Sequence, residues 1–201
     1  MACVRAARTD YDQGVNPARL LPLFLDLDGR EVLVVGAGGV ASKKIRDLVA
    51  ACAVVHVVAP AVSDDVNALD CDGAIRLERR VFEERDVDGK WLVISATGVP
   101  EIERRVYQAA EKQRIFTIAV DDLASGSAAS GSVIRRSPFV IAISSSAELP
   151  AMTRLLREVI EKALPEERWI SAARALRAKW KSDKTPMASR FEELVQLIAK
   201  S

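Results

Sequence analysis

The stretch Glu31-Val32-Leu33-Val34-Val35-Gly36-Ala37-Gly38-Gly39-Val40-Ala41-Ser42-Lys43-Lys44 constrains this chain more than any other. An apolar run of β-formers feeds a glycine-rich turn, and the turn opens an expected helix. Such a junction presents free backbone N–H groups and the positive end of a helix dipole to an anion. Gly36 permits the tight turn, and Gly38 lets the backbone approach a pyrophosphate. Ala41 stands where a third small residue allows close packing of helix on strand. The pattern predicts a dinucleotide site, with Gly36, Gly38, Gly39 and Val40 as the phosphate cradle. Glycine used only for backbone freedom would give the same letters, so the strand before and the helix after carry the weight.

The pattern around this turn repeats the alternation of strand and helix. Gly39–Ala51 has helical spacing through Val40, Lys44, Ile45, Leu48 and Val49. Val54–Ala59 reads as a strand buried on both faces, ended by Pro60. A short helix over Val62–Leu69, a third strand over Ile75–Val81 and a fourth over Trp91–Ser95 are expected next. An amphipathic helix over Pro100–Gln113 and a strand over Ile115–Val120 complete the series. Strand alternating with helix predicts an α/β fold, a Rossmann-type doubly wound parallel sheet, over residues 20–120. Residues 1–19 lack a periodic pattern and read as a loose tail.

Beyond Val120 the chemistry changes. Residues 121–148 hold a Ser/Ala/Gly-rich segment and two short strands, Ser132–Ile134 and Phe139–Ser144, joined by Arg135-Arg136-Ser137-Pro138. Two strands alone are marginal in water, so this piece needs a partner, and a second copy of itself would serve. Residues 149–201 read as helical, with Pro150 opening a helix that carries Met152, Leu155, Leu156, Val159 and Ile160 on one face. Further helices are expected over Glu166–Lys181 and Met187–Lys200.

Several function classes are disfavoured. The net charge of +1 gives no field for nucleic acid or an acidic membrane. Cys3, Cys52 and Cys71 are far apart and the chain has one histidine, which makes neither a disulfide framework nor a zinc site. No signal-peptide core or bilayer-spanning run is present, and a reducing cytoplasm fits.

Ligands of open α/β sheets sit at the carboxyl ends of the strands. Those ends are expected at Gly36–Val40, Ala59-Pro60, Ser95-Ala96-Thr97-Gly98 and Asp121-Asp122. Asp121 is the best-placed general acid or base, although a turn-forming Asp pair reads equally well. No carboxylate follows the second strand to hold a ribose hydroxyl, and no arginine waits for a 2′-phosphate, so the residues leave NAD and NADP open. His56 reads as a core histidine. The basic residues Arg135, Arg136, Arg174, Arg177, Lys179 and Lys181 suit a solvated face or a cradle for a ligand with several carboxylates.

Taken together, Leu21-Pro22-Leu23-Phe24-Leu25, the Val35–Ala41 turn and Lys43-Lys44 resemble the precorrin-2 dehydrogenase/sirohydrochlorin ferrochelatase family, the N-terminal module of siroheme synthase. Ala119-Val120-Asp121, Arg136-Ser137-Pro138-Phe139, Ala142-Ile143-Ser144-Ser145 and Thr153-Arg154-Leu155-Leu156-Arg157-Glu158 match it in order and spacing. The resemblance covers residues 20–181. It implies an NAD-bound Rossmann domain, a small dimerisation region and a helical C-terminal part in a homodimer. It also implies oxidation of precorrin-2 to sirohydrochlorin, and in many members insertion of ferrous iron to give siroheme.

On that resemblance Asp121 falls on the catalytic aspartate and Ser145 on a serine near the tetrapyrrole. Pro60, Ala61 and Thr97 would lie against the cofactor, and Arg136 and Arg177 would meet substrate carboxylates. No protein metal site is implied, because the tetrapyrrole supplies the metal ligands. Three departures bear on the substrate, one of them Ser127-Ala128-Ala129-Ser130-Gly131, whose small residues stand where the family commonly has a phenylalanine and a proline. Ser144-Ser145-Ser146-Ala147-Glu148-Leu149-Pro150 replaces a glycine-containing segment and brings in a carboxylate, and Gly98-Val99 replaces acidic residues. A non-catalytic, NAD-sensing Rossmann module is the alternative reading, and a dehydrogenase without chelatase activity is a third.

Overall fold

The computed structural model describes residues 20–120, 126–145 and 149–199. They fall into two compact units, the first ending at Thr153 and the second beginning at Arg154. In the first, β1 (Glu31–Val35), α1 (Gly39–Val49), β2 (Val54–Val58), α2 (Asp64–Cys71), β3 (Arg76–Glu78), β4 (Leu92–Ser95), α3 (Pro100–Lys112) and β5 (Phe116–Ala119) follow one another. The five strands form one parallel sheet in the order β3-β2-β1-β4-β5. The chain winds outward from β1 in one direction, then returns to start again at β4. The order therefore reverses between β1 and β4, where doubly wound sheets open a crevice.

Successive side chains of a strand point to opposite faces, so a strand buried on both must be apolar throughout. β1 shows this directly. Val32 and Val34 join Ala41, Ile45 and Leu48 of α1 on one face, while Leu33 and Val35 meet Val106, Ala109 and Ala110 of α3 on the other. Burial of each such Val, Leu or Ile contributes roughly 1.5–3 kcal/mol.

Three expectations are corrected. The third strand stops at Glu78 rather than Val81, because the Arg80 guanidinium turns back onto both oxygens of Asp86, at 2.7 and 2.8 Å, and pulls the chain off the sheet. His56 is not a core residue. Its half-buried ring stands in a polar group with its Nε2 2.7 Å from Glu31 Oε2. Arg135 and Arg136 belong to a strand instead of a turn, for β6 (Ser132–Arg136) and β7 (Phe139–Ile143) pair antiparallel with Arg136 opposite Phe139. Backbone pairing continues to the last residue that a two-residue connection, Ser137-Pro138, permits.

Ahead of β6, the backbone N–H groups of Ser127 and Ala128 donate to the Thr117 carbonyl, and Thr117 N–H donates to Ser127 Oγ at 3.0 Å. This irregular strip occupies the outer edge of β5, which would otherwise offer unpaired groups to another chain.

The helix opened by Pro150, α4 (Pro150–Ala163), carries the expected apolar stripe, but Met152, Leu155, Leu156 and Val159 are exposed. In the second unit α5 (Glu167–Ser182) and α6 (Met187–Ala199) are tied by Trp180 Nε1–H donating to Glu193 at 2.8 Å and by the Arg190 guanidinium donating to the Thr185 carbonyl. Among the described residues, no helix is long and apolar enough to cross a membrane.

Candidate functional site

The turn between β1 and α1 is fixed by its neighbours on both sides of the crevice. Gly36 N–H donates to the Val58 carbonyl at 2.9 Å, Ala96 N–H to Val35 at 2.8 Å, and Ser63 N–H to Ala37 at 3.0 Å. The loops that follow β1, β2 and β4 are thus stitched together at the switch point. Gly36 has φ +107°, and a Cβ there would lie 2.3 Å from the Ala96 carbonyl oxygen. Only glycine meets both demands.

Gly38 and Gly39 differ from Gly36. Neither has a positive φ, and a Cβ at either would meet nothing within 4 Å. Their missing side chains leave room above the backbone. Gly38 is the N-cap of α1, no side chain caps this end, and the first turn holds no acidic residue. By contrast α2 begins with Asp64 and Asp65, and α3 with Glu101 and Glu103 in its first turn. None of the three has a side-chain cap, but α1 alone has no first-turn acid to offset its positive dipole, which leaves it the best suited to an external anion. Val40, on the first turn, is exposed at 53% although its spacing reads as part of the packed face.

The remaining walls come from the other strand ends. Pro60 and Ala61 follow β2 and are exposed. Thr97 follows β4 and is half-buried, with its hydroxyl hydrogen shared between Glu103 Oε1 at 3.3 Å and the Val99 carbonyl at 3.4 Å while its oxygen accepts Val99 N–H at 3.1 Å. The hydroxyl oxygens of Ser63 and Ser95, at the ends of the β2 and β4 connections, are shielded from solvent with no partner among the described residues. The open space over Gly38 and Gly39 at an acid-free helix N-terminus fits the phosphates of a dinucleotide. Gly36, Gly38, Gly39, Val40, Pro60, Ala61 and Thr97 all follow the carboxyl ends of β1, β2 and β4, on the side of the sheet where its order reverses.

The residues expected to meet the substrate are divided between the two units. Asp121 lies outside the described residues, as do Ser146, Ala147 and Glu148. Ser145 and Thr153 share a short hydroxyl–hydroxyl hydrogen bond, and Thr153 also donates to the Leu149 carbonyl at 3.2 Å. Arg136 ends β6 at the surface. Arg177 is exposed on α5, in the second unit. Among the described residues, no three His, Cys, Asp or Glu side chains converge to hold a metal ion.

Three features escape a reading of the sequence. Glu103 is buried under the β4 loop and accepts hydrogen bonds from it. Its position in the first helical turn is a faint signal, since acids there usually answer only the dipole. Lys44 is half-buried and donates to Ser130 Oγ at 2.7 Å, tying α1 to the strip beyond β5, and burial lowers its pKa. Glu31 accepts from Lys90 at 2.8 Å and stands against His56, with Arg76 at 3.8 Å. The Lys90 hydrogen bond holds the Glu31 carboxyl below its ordinary range. Burial and the Lys90 charge lower His56. No local motif marks either of these last two groups.

Residues 23–132 match the family model NAD_binding_7, described as NAD(P)-binding. The chain is 42% identical over 181 residues to "Siroheme synthase 1" of Aeromonas salmonicida, an alignment that spans 89% of this chain and 39% of that protein. It is 43% identical over 145 residues to "Siroheme synthase 1" of Cronobacter sakazakii, spanning 72% of this chain and 31% of that one. The chain thus spans less than two fifths of the length of these curated relatives. Among solved structures, "SirC, precorrin-2 dehydrogenase" superposes with a TM-score of 0.70 at 23% identity, covering 89% of each chain. At that identity the likeness shows a shared fold.

Proposed function

The chain belongs to the NAD(P)-binding family NAD_binding_7, and from this premise we propose that it is an NAD-dependent dehydrogenase that oxidises precorrin-2 to sirohydrochlorin in siroheme synthesis. One observation carries the cofactor half: α1 offers an uncapped, acid-free N-terminus over two glycines that leave open space. Support for the substrate half comes from the siroheme synthases, which align along 72–89% of this chain, and from the fold shared with a precorrin-2 dehydrogenase.

In this reading the N–H groups of Gly38, Gly39 and Val40 bind the pyrophosphate, while Gly36 holds the turn in place. Pro60, Ala61 and Thr97 close on the rest of the cofactor. Bound NAD supplies a hydride acceptor. Asp121, one residue beyond Val120 in the chain, takes the proton that leaves with the hydride. Arg136 balances substrate carboxylates, and Ser145 orients the tetrapyrrole through the hydroxyl that it pairs with Thr153. A homodimer joined through β6 and β7 would cover Val133, Phe139 and Val140, which are partly exposed. Ferrous iron enters as a second substrate in the chelatase step, and the cytoplasm is the compartment in which this chemistry would run.

Turnover tests the reading. Sirohydrochlorin formed from precorrin-2 with NAD, and not without it, supports dehydrogenation. Siroheme above a metal-only control on adding ferrous iron supports chelation.

A further inference from the structure

Glu103 is the one acidic side chain among the described residues that is fully buried, at 2% exposure. Removing a carboxylate from water is costly unless donors replace the water, and the donors here are specific. Oε1 accepts from Thr97 N–H at 3.3 Å, from the Thr97 hydroxyl at 3.3 Å and from Gly98 N–H at 3.2 Å. Gly98 has φ +65°, so the backbone that Glu103 grips is already in a conformation other residues rarely adopt. The carboxylate also sits at the start of α3, where the helix dipole favours negative charge.

The gripped loop is one wall of the crevice. Ala96 and Thr97 are the atoms that a Cβ on Gly36 would strike, so the β4 loop lies directly against the glycine turn. In a doubly wound sheet the half that contains β1 and its glycine turn takes one mononucleotide, and the half beginning at β4 takes the other. We infer that Glu103 is a positioning residue for the nicotinamide-side wall of the cofactor site, holding Thr97 and Gly98 in place for NAD without touching it. The hydrogen bonds of Glu103 go to Thr97 and Gly98, not to the phosphate cradle at Gly38 and Gly39. The inference rests on NAD(P) binding alone and is independent of the tetrapyrrole substrate.

The two halves can be weighed separately by calorimetry with NAD and with ADP, alongside thermal unfolding of each variant. Glu103→Leu leaves the loop donors without an acceptor, and NAD affinity should fall about tenfold or more, while ADP affinity stays within about twofold. Glu103→Gln keeps an acceptor oxygen at the same reach and should restore NAD affinity to within about threefold. Glu103→Asp withdraws the oxygen by one methylene and should show the same selective loss, which keeps the test available if the leucine variant does not fold. Parallel weakening of NAD and ADP would overturn the assignment, as would unchanged NAD affinity in both Glu103→Leu and Glu103→Asp. Wild-type protein that binds neither nucleotide would overturn the cofactor premise, and the assignment with it.

Discussion

Gly36 stands so close to Ala96 that a Cβ on the glycine would lie 2.3 Å from the Ala96 carbonyl oxygen. The contact joins the last turn of β1 to the first residue after β4, the two strands between which the sheet reverses its order. Gly36 and Gly38 therefore do different jobs within one motif. Gly36 is a packing requirement of the switch point, whereas Gly38 stands beneath open space.

That division predicts opposite outcomes for two substitutions. Gly36→Ala must both occupy φ +107° and displace the Ala96 backbone, which should destabilise the fold by about 2–4 kcal/mol. At Gly38 a Cβ would meet nothing within 4 Å, so Gly38→Asp should leave the thermal midpoint nearly unchanged, yet it puts a negative charge where a pyrophosphate must sit. Denaturant melts and NAD calorimetry on the two variants check the contrast.

Asp121→Ala should lower kcat by roughly 10²–10⁴-fold while leaving NAD affinity intact, as expected of a proton acceptor. Loss of NAD binding in that variant would count against its role.

Stability should fall as the solution is acidified, in two stages. His56 is held below its ordinary 6.5 by burial and the Lys90 charge, so the unfolded chain takes up this proton first. The contribution of the neutral ring is complete above that value and declines as pH drops through it. Glu31, held below 4.5 chiefly by the Lys90 hydrogen bond, contributes above that value and loses its contribution as pH falls further. Thermal midpoints measured from pH 8 down to about pH 2.5 should show both stages, and His56→Gln should remove the upper one only.

Ile45 is fully buried between α1 and the sheet, and Ile45→Ala should cost about 2–5 kcal/mol. Met187→Ala, at a side chain 76% exposed on α6, should cost less than about 0.5 kcal/mol. Urea titrations of both variants separate the packed face from the exposed one.

What the sequence made legible was local. β1, Gly36 and α1 could be read because an apolar run, a glycine turn and a helical period lie within one short stretch. The crevice residues followed from the rule that ligands sit at strand ends. Features decided by distant partners were hidden. The early end of β3 depends on Arg80 finding Asp86, and the polar setting of His56 on Glu31 of β1 and on Lys90 from the connection before β4. Glu103 looks like an ordinary first-turn acid until α3 packs and its carboxylate closes on Thr97 and Gly98. The basic pair Arg135-Arg136 suggested a turn, but the backbone ladder extends through both residues before the chain reverses.

The most direct test of the central claim is an anaerobic reaction of purified protein with precorrin-2 and NAD, in which NADH and sirohydrochlorin are quantified together. The account predicts that the two products appear in equal amounts and that both disappear in Asp121→Ala. Tight NAD binding with neither product formed would contradict it, and would leave a cofactor-sensing module in place of a dehydrogenase.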